Sequence, residues 1–201
     1  MPRPLQNRVT PDGTIEAHPA RGLWMGNRGG RFHRPDQSLG RRRHASRAWI
    51  YCVLSFKERQ RQVMGQGYTE LFFLDEATAL AAGHRPCFEC QRTRADSFAT
   101  LWAGGPPRAR ADAMDRVLHP ARQGPVWRAM PGALPDGTMV EWQGTPHLLH
   151  ARHLLRWGHS GYETAVSLPK MEVEVLTPAP IVRVIAAGFS VSIHPSAAAL
   201  F

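Results

Sequence analysis

Lysine is nearly missing from a strongly basic chain: of 25 Lys plus Arg in 201 residues, only Lys57 and Lys170 are lysines. Cysteine is almost as scarce, with three residues, Cys52, Cys87 and Cys90. An odd number of thiols yields no extracellular disulfide framework, and closely spaced thiols in a reducing cytoplasm usually mean metal. A cytoplasmic protein is therefore expected. No stretch approaches the ~18 consecutive apolar residues of a membrane span, and residues 1–6 lack the apolar core of a secretory signal. Several catalytic signatures are missing too. Gly26-Asn27-Arg28-Gly29-Gly30 has neither the spacing of a phosphate loop nor a following helix, and no nucleophile elbow occurs.

What is present is ordinary globular material with an unusual distribution of charge. Apolar residues make up 43% and charged residues 20%, which excludes wholesale disorder. Residues 1–63 carry 13 basic and 4 acidic side chains, and residues 64–201 carry 12 of each, so the whole net charge of +9 lies in the first third. An asymmetric arginine-rich segment is the electrostatic footprint expected for a phosphate backbone. Arg28, Arg31, Arg34, Arg41, Arg42, Arg43 and Arg47 are the candidate contacts, with nucleic acid, DNA above RNA, as the partner. The competing reading is a solvated face with a bias toward arginine.

The local patterns predict an α+β fold. Residues 1–20 read as a proline-rich extended arm, with Pro2, Pro4, Pro11 and Pro19. Strands are expected over 23–33, 48–56 and 68–73, from their β-branched and aromatic residues, and suggest a small antiparallel sheet. Asp75 is a good N-cap for a short Ala-rich helix that stops at Gly83. Further helices are expected over 91–103 and 111–119, the second ending before Pro120. Residues 121–136 read as irregular. Strands over 138–142 and 171–176, and a helix capped by Thr177, make a mixed α/β C-terminal part. The expected division is 1–104, a basic arm with a metal-binding region, and 105–201, a second region that packs with the first or stands apart.

Cys87-Phe88-Glu89-Cys90 is the strongest chemical signal. Two thiolates separated by two residues grip one tetrahedral ion, because a tight turn brings both sulfurs to the same point. A redox dithiol is the rival, but that motif belongs after a thioredoxin-like strand rather than after a helix and a His-Arg-Pro turn. Cys52, on an expected strand, is the third ligand by this reading, zinc being the metal. Alone in a strand it would read as a small buried hydrophobe.

The segment 71–90, with Leu71-Phe72-Phe73, the Ala-rich stretch ending in Ala82-Gly83 and then Arg85-Pro86-Cys87-Phe88-Glu89-Cys90, resembles the second half of the Ada-type metal-binding domain. Upstream, Ile50-Tyr51-Cys52 is similar to that family's first ligand strand, with Phe56 where the family has another cysteine. Relatives of the knuckle in nuclease tails carry a histidine instead, and Gly30-Arg31-Phe32-His33-Arg34-Pro35-Asp36-Gln37 resembles that version with Gln37 in place of its cysteine. The resemblance covers residues 49–90 and implies a zinc domain that contacts DNA. It implies a site of three cysteines and one histidine, Cys52, Cys87, Cys90 and His33, with His44 as the other candidate fourth ligand. It also implies a methyl-acceptor role for Cys52, since a metal-bound thiolate stays nucleophilic at neutral pH.

Two function classes follow. One is a non-catalytic nucleic-acid-binding protein in which zinc fastens the fold. The other is a DNA-processing enzyme, using Cys52 as methyl acceptor or a hydrolytic site in the C-terminal half. Apolar neighbours Ile50, Tyr51, Val53 and Leu54 suggest a shielded, structural Cys52. His147, His150, His153 and His159 cluster in sequence, but the glutamate of a zinc-protease helix is missing, so surface or core histidines are expected. Asp115 and His119 lie four apart and are expected to pair on one helix.

Overall fold

Period-two alternation shapes the first half of the chain. In the computed structural model, which describes residues 3–59 and 62–201, six strands form one sheet. They are β1 (Gln6–Val9), β2 (Ile15–Ala17), β3 (Trp24–Arg28), β4 (Trp49–Cys52), β5 (Leu71–Phe73) and β6 (Arg85–Pro86). Their spatial order is β2-β1-β5-β3-β4-β6. The arm expected over 1–20 is instead the β1–β2 hairpin, turned at Asp12-Gly13, where Gly13 takes φ +87°. Met1 and Pro2 of that arm lie outside the described residues. The sheet is mixed rather than wholly antiparallel: β1 runs parallel to β5, and β4 parallel to β6.

One face of this sheet packs against helices α1 (Glu76–Ala81), α2 (Arg92–Ala103), α3 (Ala111–Ala121) and α4 (Ala179–Ala186). Tyr51, Leu71 and Phe73 from the strands meet Leu80, Phe98, Met114, Leu118 and Ile181 there. All of these side chains are fully buried, and each contributes roughly 1.5–3 kcal/mol on burial. The alternate residues Met25, Ile50, Cys52 and Phe72 point to the opposite face, which none of these helices covers. That difference between the faces positions the candidate site.

The second half differs from expectation more. Strands β7 (Trp127–Ala129), β8 (Met139–Trp142), β9 (Thr145–His150), β10 (His153–Gly158), β11 (Gly161–Ser167) and β12 (Val173–Val175) form a second sheet, ordered β11-β10-β9-β8-β12-β7. Every pairing in it is antiparallel. Three of these strands, β9 to β11, fall where no strand was expected, and β7 lies in the segment read as irregular. The two-residue turns Gln143-Gly144 and Ala151-Arg152 have positive φ at both positions, the twist that joins tight hairpins. α3 runs through Pro120 into its last turn, and Pro178 rather than Thr177 caps α4. Thr177 instead accepts a hydrogen bond from the Met139 amide at 2.9 Å.

α1 lies between the two sheets. Ala79 and Leu80 join the first core, while Leu74, Ala77 and Ala81 pack on Met139, Leu148 and Leu155 of the second. Two acidic residues at its start tie both sides together. Asp75 caps the helix through the Thr78 amide and also accepts from the Tyr162 hydroxyl at 2.7 Å and the His194 amide at 2.9 Å. Glu76, fully buried, accepts from the Tyr51 hydroxyl, the Arg94 guanidinium and the Ser192 amide. Buried carboxylates persist only when satisfied in this way.

Candidate metal centre

The register of two parallel strands builds the site. Tyr51 of β4 pairs with Pro86 of β6, so the next residue on each strand, Cys52 and Cys87, falls side by side. The Cys87 amide donates to the Tyr51 carbonyl at 3.1 Å, and the Gln91 side-chain amide donates to the same carbonyl at 2.9 Å. The chain then turns: the Gln91 amide reaches the Cys87 carbonyl at 3.0 Å, and the Glu89 amide points at the Cys87 sulfur at 3.4 Å. α2 begins at Arg92, just beyond Cys90. Its positive end favours thiolate charge on the turn.

The result is three sulfurs, of Cys52, Cys87 and Cys90, within 4.8 Å of one another. The donor set fits zinc. Zn–S bonds of ~2.3 Å in a tetrahedron put sulfurs about 3.8 Å apart, inside the observed envelope. Without metal the sulfurs share protons among themselves. Cys87 is held far below the usual thiol range because the Cys52 and Cys90 side chains hydrogen-bond to it, and Cys52 is pushed up by its bonds to Cys87 and Cys90. Without metal the cluster is therefore one thiolate, on Cys87, held by two protonated thiols.

His33 does not join the cluster. The histidine is buried, with Nδ1 against Thr69 Oγ1 at 2.8 Å and Nε2 against the Gly65 carbonyl at 2.9 Å. Both ring nitrogens are used in fastening Gly65 and Thr69 to the sheet, so the implied set of three cysteines and one histidine is corrected to the cysteines alone. His44 is elsewhere too, packed on Trp49 and His119 with ring centroids 5.7 and 5.2 Å apart.

Nor is Cys52 sealed. Together with Cys87 and Cys90 it lines a pocket of about 410 Å³, walled by Met25, Ile50, Val53, Phe56 and Phe72, with Asn27, Arg59, Glu70 and Glu89 among its polar groups. The shielding expected from its neighbours fails because of alternation: Tyr51 points into the helix-covered core, and Leu54 is 53% exposed at the pocket. The signal for this pocket was the run of odd and even positions along three strands, legible only once the strands were paired.

The arginines divide. Arg31, Arg34, Arg41, Arg42, Arg43 and Arg47 are exposed. Arg28 is not: it is 2% exposed, stacked 4.0 Å over Trp49, and bonded to the Gly13 carbonyl at 2.8 Å. Burial, then the nearby Arg122 and Arg43, push its pKa down to about 9. It braces the β1–β2 turn and is corrected from a phosphate contact to a structural residue. Arg122, which sequence reasoning passed over, lies 4.3 Å over the same indole. Burial pushes its pKa down to about 10.

The remaining candidates disperse. His147 and His153 bond backbone carbonyls beside them, His150 lies 3.6 Å from Asp136, and His159 pairs with Glu16 at 2.9 Å. His150 and His153 do face each other across β9 and β10 and both pack on Phe201, but no third donor joins them, and among the described residues the three cysteines are the only group of three that could hold a metal. Asp115 takes both arms of Arg85, at 2.9 and 2.8 Å, rather than His119. This buried fork fixes β6, and with it the approach to Cys87, against α3. Among the described residues no helix is long and apolar enough to cross a membrane. No family model, curated protein or solved structure matches the chain.

Proposed function

We propose that this is a zinc-binding protein that engages a nucleic-acid backbone, DNA in preference to RNA, through its arginine-rich first third. The observation that carries the reading is the three-sulfur cluster, whose spacing suits one tetrahedral ion. Zinc bound there ties β4 to the Cys87–Cys90 turn and so fixes the edge of the first sheet. Six arginines of the segment 31–47 are exposed and none of them is in an ion pair among the described residues, although Arg34 acts on Asp36 and Arg42 and Arg43 donate to nearby carbonyls. Guanidinium groups without a carboxylate partner suit phosphate. The preference for DNA rests on the resemblance of residues 49–90. The test is retention of duplexes of unrelated sequence, with log affinity falling by ~0.9 per contacted phosphate for each log unit of salt. Replacing Arg41, Arg42 and Arg43 with Ala flattens that slope. A protein that retains no nucleic acid at low ionic strength contradicts the proposal.

One observation favours a second reading. Because the Cys52 sulfur lines an open pocket, an electrophile has a route to it. In methyl transfer from a DNA methylphosphotriester, the thiolate forms a new S–C bond, the C–O bond breaks, and its electron pair stays on the phosphodiester oxygen. Mass spectrometry after incubation decides the matter: one added methyl group on Cys52 establishes the transfer, and an unchanged mass leaves the binding role.

A further inference from the structure

Zinc sites that only hold a fold close their coordination with protein ligands, whereas reactive ones leave a position for an outside molecule. This cluster has three protein donors. Among the described residues no His, Asp or Glu joins them, and the residues outside the description, Met1, Pro2, Gln60 and Arg61, include none of those types. The carboxylates at the pocket are engaged elsewhere: Glu70 accepts from the Met64 amide at 2.6 Å, and Glu89 from Arg59 at 2.7 Å. His33, which would have completed the set, is held by two hydrogen bonds. What the three sulfurs do face is the 410 Å³ pocket.

We infer that zinc at this site keeps its fourth position open to the pocket and takes there a small molecule with an apolar body and one neutral nitrogen or sulfur donor. The inference rests on the zinc reading above and adds the ligand class. Size supports an organic ligand, since a water molecule needs only ~30 Å³. The walls are Met25, Ile50, Val53, Phe56 and Phe72, which suit an apolar body. Three thiolates already outweigh a divalent cation by one negative charge, and of the charged side chains lining the pocket Arg59 is paired with Glu89, which leaves Glu70 as an additional negative group. A second anionic ligand is therefore opposed by like charge, and a soft thiolate set favours nitrogen or sulfur over carboxylate oxygen.

Cobalt(II) in place of zinc makes the site visible in the full-length chain. Sulfur-to-cobalt charge-transfer bands report the three thiolates, and the visible ligand-field bands report the fourth position. Imidazole is expected to shift the ligand-field bands to saturation at one molecule per metal, acetate to leave them unchanged, and 4-phenylimidazole to bind more tightly than imidazole. Ligand-field bands that ignore imidazole while the charge-transfer bands are present overturn the open position and leave the zinc reading intact. Absence of the charge-transfer bands overturns the zinc reading itself. Met25→Trp, which fills the pocket, is expected to keep the charge-transfer bands and lose the imidazole response. Equal or weaker binding of 4-phenylimidazole in the wild-type chain overturns the apolar pocket without reliance on that variant.

Discussion

The two six-stranded sheets use their second faces in opposite ways. The C-terminal sheet is apolar on both sides, with Met139, Leu148 and Leu155 toward α1 and Val140, Leu149, Leu154 and Val173 in a separate cluster on the other. Its strands β8 to β11 join through short hairpins, so most of its pairings are local. The N-terminal sheet spends one face on helices and leaves the other to three cysteines and a pocket. Three of its pairings join strands distant in sequence, β1 with β5, β3 with β5 and β4 with β6. Burial alone accounts for the second sheet. The first has a weak edge, where a two-residue strand is held by Arg85 and Asp115 and, on the function proposed above, by the metal. The excess charge lies on the same half, so under the proposed function the chain separates a packing region from a working region.

Metal removal is the largest expected perturbation of that contrast. Structural zinc contributes on the order of 10 kcal/mol of apparent binding energy in small domains. Chelation should therefore release hydrogen-exchange protection in β4, β6 and the 87–91 turn, while β8 to β11 stay protected. Uniform loss across both sheets would mean that the halves do not differ in their dependence on metal.

Next in size is Glu76→Ala, which strikes the junction between the sheets. It strands the Tyr51 hydroxyl and leaves the half-buried Arg94 guanidinium with only the Ser190 carbonyl as partner. Breaking a buried pair on one side costs about 3–5 kcal/mol, read here as a lower urea midpoint. A loss below about 1 kcal/mol would show that water replaces the carboxylate at the junction.

A smaller effect is set by pH. His84 is fully buried against Trp49 and Phe73, and desolvation, then Arg28 and Arg122, hold its pKa well below 6.5. The unfolded chain therefore takes up a proton at His84 that the folded chain refuses. Stability from this residue is present above pH ~6.5 and is lost as pH falls toward the depressed folded value. His84→Asn should reduce the slope of stability against pH in that window. An unchanged slope would assign the acid sensitivity to other groups.

Much of the working region was legible in the sequence because its signals are local. Asp75 as N-cap, the helix stop at Gly83, and Cys87 with Cys90 on one turn each depend on a few neighbouring residues. Cys52 was read as the third ligand from its place on an expected strand in the same chain as the Cys87–Cys90 pair, and the β4–β6 register is what brings the three sulfurs together. His33 and Arg28 were misread for one shared reason. Their side chains are chemically suited to ligation and phosphate, yet long-range partners, Thr69 and Gly65 for one and Trp49 and Gly13 for the other, claimed them. The β9–β11 meander was missed because its histidines and arginines interrupt the apolar alternation. Its turns at Gln143-Gly144 and Ala151-Arg152 lack the usual Asn-Gly or Asp-Gly signature.

The central claim is that Cys52, Cys87 and Cys90 hold one ion together, and metal content of the purified chain tests it most directly. The account predicts one zinc per wild-type chain, and zinc lost in each of Cys52→Ser, Cys87→Ser and Cys90→Ser but retained in His33→Ala. A wild-type chain that folds without metal, or zinc that survives Cys52→Ser and leaves with His33→Ala, would contradict it.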